Sequence, residues 1–417
     1  MSSEITGNWP TEASLNIHRE MFEESARYLE ENMLTPQDKR LIIGLGVLSI
    51  AGLDAAVLAI GEAGHGKTRF GNIVMGSDSR VELQNNNTEE TLFGFPNPTE
   101  AEERIAGKII VDPNDPRFYM NEVSHLRNTG PLHRMWDDNV VRVGDQFIPV
   151  TNASIYATSN FPDSRRVNDL DGAMRSRFGV EILFGDVPKE VASQLADRGV
   201  SRPRPEGGIM ESGIIPNAKA REDLRRRVNE GYGLYDGKLG GYMVEVMDRI
   251  NKNPLFDDVS LGDARMHQSW YQTIGALKFV SGHEAGSRAT VEDASKVAAL
   301  VLPTLVTLSG AGKNALRSRL GGLPKLDPVT EAVARRRAIA DLAYKVVLDG
   351  DVYSRGNEDD KRAKFRDRFS FAGDKDNDGR IDEFVEEALF GGKRRVEQTQ
   401  PDEPATRRSV WSFRRNR

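Results

Sequence analysis

An apolar run that ends in a glycine-rich, lysine-bearing loop constrains this chain more than any other feature. Leu41 to Ile60 reads LIIGLGVLSIAGLDAAVLAI, and Gly61-Glu-Ala-Gly-His-Gly-Lys67-Thr68 follows at once. About twenty mostly apolar residues match the length of a membrane span. Asp54 within the run, its Gly and Ser positions and the loop behind it argue instead for a helix end over Leu41–Ile50, a turn at Ala51-Gly52 and a buried strand over Ala55–Ile60. A G-x-x-x-x-G-K-T loop needs such a strand before it and a helix after it, and Lys67–Met75 supplies the helix. The chemistry of this loop is phosphate binding. Glycines let backbone N–H groups face phosphate oxygens, the lysine reaches the β/γ-phosphates and the hydroxyl beside it ligates magnesium. Gly61, Gly64, His65, Gly66, Lys67, Thr68 and Arg69 are therefore the candidate nucleotide-binding residues, and ATP with Mg2+ the expected ligand.

Two further strand patterns follow at the spacing such a site needs. Arg117-Phe-Tyr-Met-Asn121-Glu122 is a short apolar strand ending in a polar pair, where phosphoryl-transfer enzymes place a magnesium-holding carboxylate and a water-positioning group. Ala153-Ser-Ile-Tyr-Ala-Thr-Ser-Asn160 is a second buried strand, ending in an amide within reach of a γ-phosphate or its attacking water. Asp171-Gly-Ala-Met-Arg175-Ser-Arg177-Phe178 then sets guanidinium groups at a helix end.

Strand, phosphate loop, helix, acidic strand, amide strand and Arg-Phe, in that order, resemble the AAA+ ATPases and within them the MoxR branch, over roughly Leu34 to Leu308. Arg80 to Gly94 resembles that family's strand and hairpin insert, and Gly130–Trp136 with Val140–Pro149 its helix and β-hairpin before sensor 1. The resemblance implies Lys67 and Thr68 in Walker A, Glu122 as catalytic base, Asn160 as sensor 1 and Arg177, the Arg directly before Phe, as arginine finger in preference to Arg175. Leu261-Gly-Asp-Ala-Arg265 resembles the sensor 2 segment of a helical lid, which implies Arg265 on the γ-phosphate. Thr290 and Asp293 stand at capping-box spacing at the start of a lid helix. A finger of this class acts on a neighbouring subunit's nucleotide, so a homo-oligomeric ring, a hexamer, is implied, with a client protein carrying a von Willebrand factor A domain as the partner.

One residue departs from the family pattern. Asn121 stands where Asp is usual, and its amide oxygen can still face magnesium or a magnesium-bound water but brings no charge. Asp112 is no replacement, since Pro113 follows it. Two readings stay open: an ATP-hydrolysing remodelling machine that retains Glu122, and a nucleotide-gated, non-hydrolytic assembly module that recruits its target through the C-terminal segment.

Beyond Gly322 the resemblance fades. Asp327–Leu348 reads as an amphipathic helix with Arg335-Arg-Arg337 on a solvated face. Asp374, Asp376, Asp378, Arg380 and Asp382 occupy positions 1, 3, 5, 7 and 9 of an EF-hand-like loop with Gly379 at 6, which makes Ca2+ a candidate ligand, although Val385 replaces the bidentate carboxylate of position 12. The expected architecture is α/β: an AAA+ αβα P-loop core with a parallel sheet over 34–186, an N-terminal helical extension over 1–33, an all-helical lid over 187–321, a C-terminal helical segment over 322–392 and a basic tail over 393–417. Gly391–Arg417 carries eight Lys/Arg against three acids, a net +5, which leaves −11 on the rest of a chain whose total is −6. An acidic body argues against a broad nucleic-acid face, so only the tail offers a surface for phosphate, anionic lipid or an acidic partner. The absence of Cys removes thiol chemistry and thiolate metal sites, and the six His show no metal-binding helical pair. A polar start over Met1–Pro10 and the lack of Cys point to a cytoplasmic protein.

Overall fold

A computed structural model describes residues 20, 22–29, 39–50, 56–84, 87–96, 104–106, 115–126, 129–143, 146–150, 153–161, 170, 172–184, 213–232, 238–260, 263–281, 283, 287–349 and 384–385. Its centre is a five-stranded sheet of β1 (Val57–Gly61), β2 (Arg80–Glu82), β5 (Arg117–Asn121), β8 (Ser154–Ser159) and β9 (Val180–Phe184), in the order β2-β5-β8-β1-β9. Every pairing is parallel, as in Val57 opposite both Tyr156 and Val180. Parallel strands need crossovers that cover both faces, and every residue of β1, β8 and β9 is buried. Two hairpins, β3 (Gly94–Pro96) with β4 (Arg104–Ala106) and β6 (Val140–Val143) with β7 (Gln146–Pro149), stand outside the sheet.

One face of the sheet carries α1 (Lys39–Ile50) and α2 (Lys67–Met75). The apolar run thus divides as its sequence predicts, into helix and strand, and among the described residues no helix is long and apolar enough to cross a membrane. Gly71 lets α2 lie close against the strands, because a Cβ there would stand 2.4 Å from the Tyr119 ring and 2.6 Å from that of Tyr156. Those tyrosines donate their hydroxyls to the backbone oxygens of Thr68 (3.1 Å) and Lys67 (2.8 Å). Between β2 and the first hairpin lies a short helix, α3 (Glu89–Phe93), capped by Thr88. The Arg80–Gly94 stretch is therefore strand then helix, and its hairpin begins only at Gly94.

The helices beyond the sheet are α4 (Gly130–Asp138), α5 (Gly172–Arg175), α6 (Ala218–Tyr232), α7 (Leu239–Lys252), α8 (Ala264–Val280), α9 (Val291–Val301), α10 (Gly310–Arg319) and α11 (Pro328–Asp349). Thr290 and Asp293 form the capping box expected at the start of α9. Trp270 of α8 is fully buried and donates its indole N–H to the Ala294 oxygen of α9, and the Tyr242 hydroxyl of α7 bonds the Ala343 oxygen of α11. The long helix beyond Gly322 therefore shares a core with α7 and α9. It packs on α7 and α9, with α9 and the Leu302–Thr304 turn against β9.

The Arg335-Arg-Arg337 cluster is a correction to the sequence reading, since Arg335 and Arg336 are buried rather than solvated. Glu181 of β9, fully buried, accepts from Arg335 (2.7 Å) and Arg336 (2.8 Å), and from Arg175 of α5 (2.7 Å). The partner lies more than a third of the chain away and on another element, so no local pattern marks it. Burial alone would raise the Glu181 pKa, but the three guanidinium groups outweigh it and hold the carboxyl down to about 2. Burial also lowers the pKa of Arg335. Removing one partner of a buried ionic group strands the others. Glu181→Gln is expected to destabilise the fold by about 3–5 kcal/mol in urea denaturation at neutral pH. Because the folded carboxyl is the stronger acid, its contribution is present above the ordinary value of 4.5 and is lost as pH falls through about 2, so the gap between wild type and variant closes in acid.

Candidate nucleotide site

The loop between β1 and α2 ends at Gly66, whose φ of 95° is left-handed and whose missing side chain leaves the first turn of α2 without a side-chain cap. Gly64 is left-handed as well, at 88°. Backbone conformations of this kind are cheap for glycine, and an uncapped helix start presents N–H donors and a partial positive charge to an anion. His65 and Arg69 flank the turn, half-buried, and His65 Nδ1 is buried with no hydrogen-bond partner.

Lys67 is folded into the mouth of this loop. Its ammonium donates to the backbone oxygens of Gly61 and Glu62, both at 2.6 Å, and to Asn160 Oδ1 at 2.9 Å. The other end of the same amide, Asn160 Nδ2, donates to Glu122 Oε1 at 3.4 Å. Lysine, sensor amide and proposed base thus lie on one hydrogen-bonded line along the C-terminal edge of β1, β8 and β5. Glu122 leaves β5 with a left-handed φ of 59°, its N–H bonded to Thr158 Oγ1 (2.9 Å) and its second carboxylate oxygen to His125 Nδ1 (2.9 Å). A non-glycine residue at positive φ is uncommon, and here the Thr158 and His125 contacts hold it.

Asn121 sits one residue before this turn, buried. Its Oδ1 accepts from Thr158 Oγ1 at 2.7 Å and from Thr68 Oγ1 at 3.4 Å, and its Nδ2 donates to Glu82 Oε2 at 2.7 Å. Among the described residues no group of three or more His, Asp or Glu could hold a metal. A hydroxyl and an amide oxygen side by side fit a magnesium ion that arrives with a polyphosphate and keeps most of its waters, not a dedicated carboxylate cage.

The arginines expected as finger and sensor 2 meet on one acid. Arg177 Nη2 bonds Asp137 Oδ2 (2.6 Å) and Arg265 Nη2 bonds Asp137 Oδ1 (2.7 Å), so the turn after α5 and the first turn of α8 meet on one carboxylate at the end of α4. Partial burial of Asp137 raises its pKa, and the Arg177 hydrogen bond with the charges of Arg177 and Arg265 outweighs this and lowers it overall. Arg175 is paired with Glu181, whereas Arg177 bonds Asp137 and the Ala173 oxygen (2.6 Å). Of the calcium positions, Asp374, Asp376, Asp378, Arg380 and Asp382 lie outside the described residues, as does the basic tail, while Phe384 and Val385 are buried.

The sequence reading missed Glu82, Thr158, His125 and Asp137. Thr158 was within reach of it, because alternation along a strand puts residue 158 on the same face as Asn160. The other three depend on pairings between elements.

In fold, the chain is similar to a solved structure from Cytophaga hutchinsonii described as a "putative ATPase", with a TM-score of 0.58 over 80% of this chain and 96% of that chain at 14% identity. No family model and no curated protein matches the chain. At that identity the likeness shows the fold, a parallel α/β core with its helical cover, and 320 solved chains match it in this way.

Burial lowers the Lys67 pKa to about 8, against the opposing pull of Glu122 and Glu62. Between about 8 and the ordinary 10.5 the unfolded chain holds a proton that the folded chain has lost, so this group makes stability rise with pH over that interval. Affinity for inorganic tripolyphosphate moves the other way, falling about fivefold from pH 8 to pH 9 as the cation is lost. Thermal melts and calorimetric titrations across this range check both slopes, and neither survives in Lys67→Met.

Proposed function

We propose that the chain is an AAA+ ATPase of the MoxR type, which binds ATP with magnesium and hydrolyses it. The observation that carries this reading is the Lys67–Asn160–Glu122 line beside the uncapped start of α2. Lys67 and the α2 N–H groups neutralise the β/γ-phosphates. Water attacks the γ-phosphorus as the bond to the β,γ-bridging oxygen breaks, and Glu122 orients that water and accepts its proton. Asn160 fixes Glu122 relative to Lys67, so base and phosphate keep one spacing. Magnesium bound with the nucleotide neutralises charge on the phosphate oxygens, and Thr68 and Asn121 are the residues that would hold it.

The reading includes a homo-oligomeric ring, as the resemblance implies for an arginine finger. Arg177 is bonded to Asp137 and not to the Lys67 cluster, which is compatible with its serving the nucleotide of a neighbouring copy. In this reading hydrolysis drives the remodelling of a client protein, and the resemblance to the MoxR branch makes a von Willebrand factor A domain the class of client to test. The second reading, a non-hydrolytic nucleotide-gated assembly module, is favoured by one observation, the uncharged Asn121.

Lys67→Ala is expected to abolish nucleotide binding, whereas Glu122→Gln binds nucleotide and turns over about 10²–10⁴-fold more slowly than wild type. Wild-type turnover no faster than that of Glu122→Gln would sink the hydrolytic reading and leave the assembly module. Mixing Glu122→Gln with Arg177→Ala protein tests the ring, because each supplies what the other lacks at a shared interface. Activity in the mixture above that of either variant alone is the expected result.

A further inference from the structure

We infer that Glu82 is a positioning residue for the magnesium end of the nucleotide site, holding from the neighbouring strand the amide of Asn121 with its oxygen toward Thr68. This rests on the nucleotide reading above. The parallel register of β2 and β5 sets Glu82 directly opposite Asn121, and alternation along both strands turns the two side chains to the α2 face. A carboxylate can only accept, so the 2.7 Å contact with Glu82 Oε2 fixes which end of the Asn121 amide carries hydrogen. The amide oxygen is thereby committed to the Thr68 and Thr158 hydroxyls. Without Glu82 nothing in this set distinguishes the two ends of the amide, because a threonine hydroxyl can donate or accept.

The second carboxylate oxygen of Glu82 is also occupied, by Arg80 Nε at 2.7 Å and by its Nη2. Glu82 is thus held from outside by a cation, which offsets its charge, while its other oxygen orients and polarises a buried amide. An acceptor turned inward is the part of a position-121 carboxylate's role that this arrangement preserves. The arrangement is reciprocal. Asn at 121 calls for an acceptor at 82, and Asp at 121 calls for a donor there, as Glu82→Gln provides.

The test is the dependence of nucleotide affinity on magnesium, with N-methylanthraniloyl-ATP as the fluorescent probe and its Kd measured in excess Mg2+ and in EDTA. Glu82→Gln is expected to reduce the ratio of the two affinities about tenfold. The double variant Glu82→Gln/Asn121→Asp, which exchanges donor and acceptor and moves the charge to position 121, is expected to return the ratio to within about threefold of wild type. Circular dichroism establishes that each variant is folded, and a merely structural role for Glu82 would move both Kd values together without rescue. An unchanged ratio in Glu82→Gln, or a double variant no better than Glu82→Gln, would overturn the inference while leaving nucleotide binding intact. Wild-type protein that fails to bind the probe would overturn the nucleotide reading itself and this inference with it.

Discussion

Two tyrosine hydroxyls reach across from neighbouring strands to the backbone oxygens of Lys67 and Thr68, and the site is assembled from that anchorage outward. A helix that presents phosphate-binding groups must not slide, because its N–H donors and its lysine act only at fixed distances from a ligand. Gly71 lets the Tyr119 and Tyr156 rings reach the underside of the helix, and the rings meet edge to face, 5.2 Å between centroids. Burial keeps both phenols in their neutral, donating form by raising their pKa values. With α2 pinned, Lys67 finds Asn160, Asn160 finds Glu122, and Thr68 finds Asn121.

The sheet separates two kinds of electrostatics. On the α2 face Glu82, Asn121, Thr158 and Thr68 form a polar set at the strand ends, open to a ligand. On the opposite face Glu181 and its arginines form a closed ionic cluster in the core. The first carries donors and acceptors that a phosphate and its ion could recruit. The second has its anion satisfied and serves to join β9, α5 and α11.

Much of the α2 face was legible in the sequence, and for a physical reason: the motif residues lie at strand ends or in the turn directly after a strand, where local pattern fixes both conformation and direction. The helix over Lys67–Met75, the strands that lead to Asn121 and Asn160 and the Thr290–Asp293 cap all follow from residues within a few positions of one another. Glu82, Asp137 and Glu181 were not legible. Each acquires its role from strand register or from a contact between helices remote in sequence, and the charged run at Arg335–Arg337 looks solvated until its anion is found on another layer. Arg177 and Arg265 show the same limit: their motifs are local, but their meeting on Asp137 is not.

The Glu181 cluster also bears on how the protein can be divided. Sequence resemblance stops near Gly322, which makes that point an inviting place to cut an independent ATPase unit. Yet Arg335 and Arg336 lie beyond it, and with them the only described groups besides Arg175 that satisfy the Glu181 carboxylate. A chain ended there would keep every motif of the nucleotide loop and lose two of the three cations that make burial of that anion tolerable, together with the α11 surface that covers α7 and α9. The unit that closes this core is therefore larger than the unit that the motifs mark.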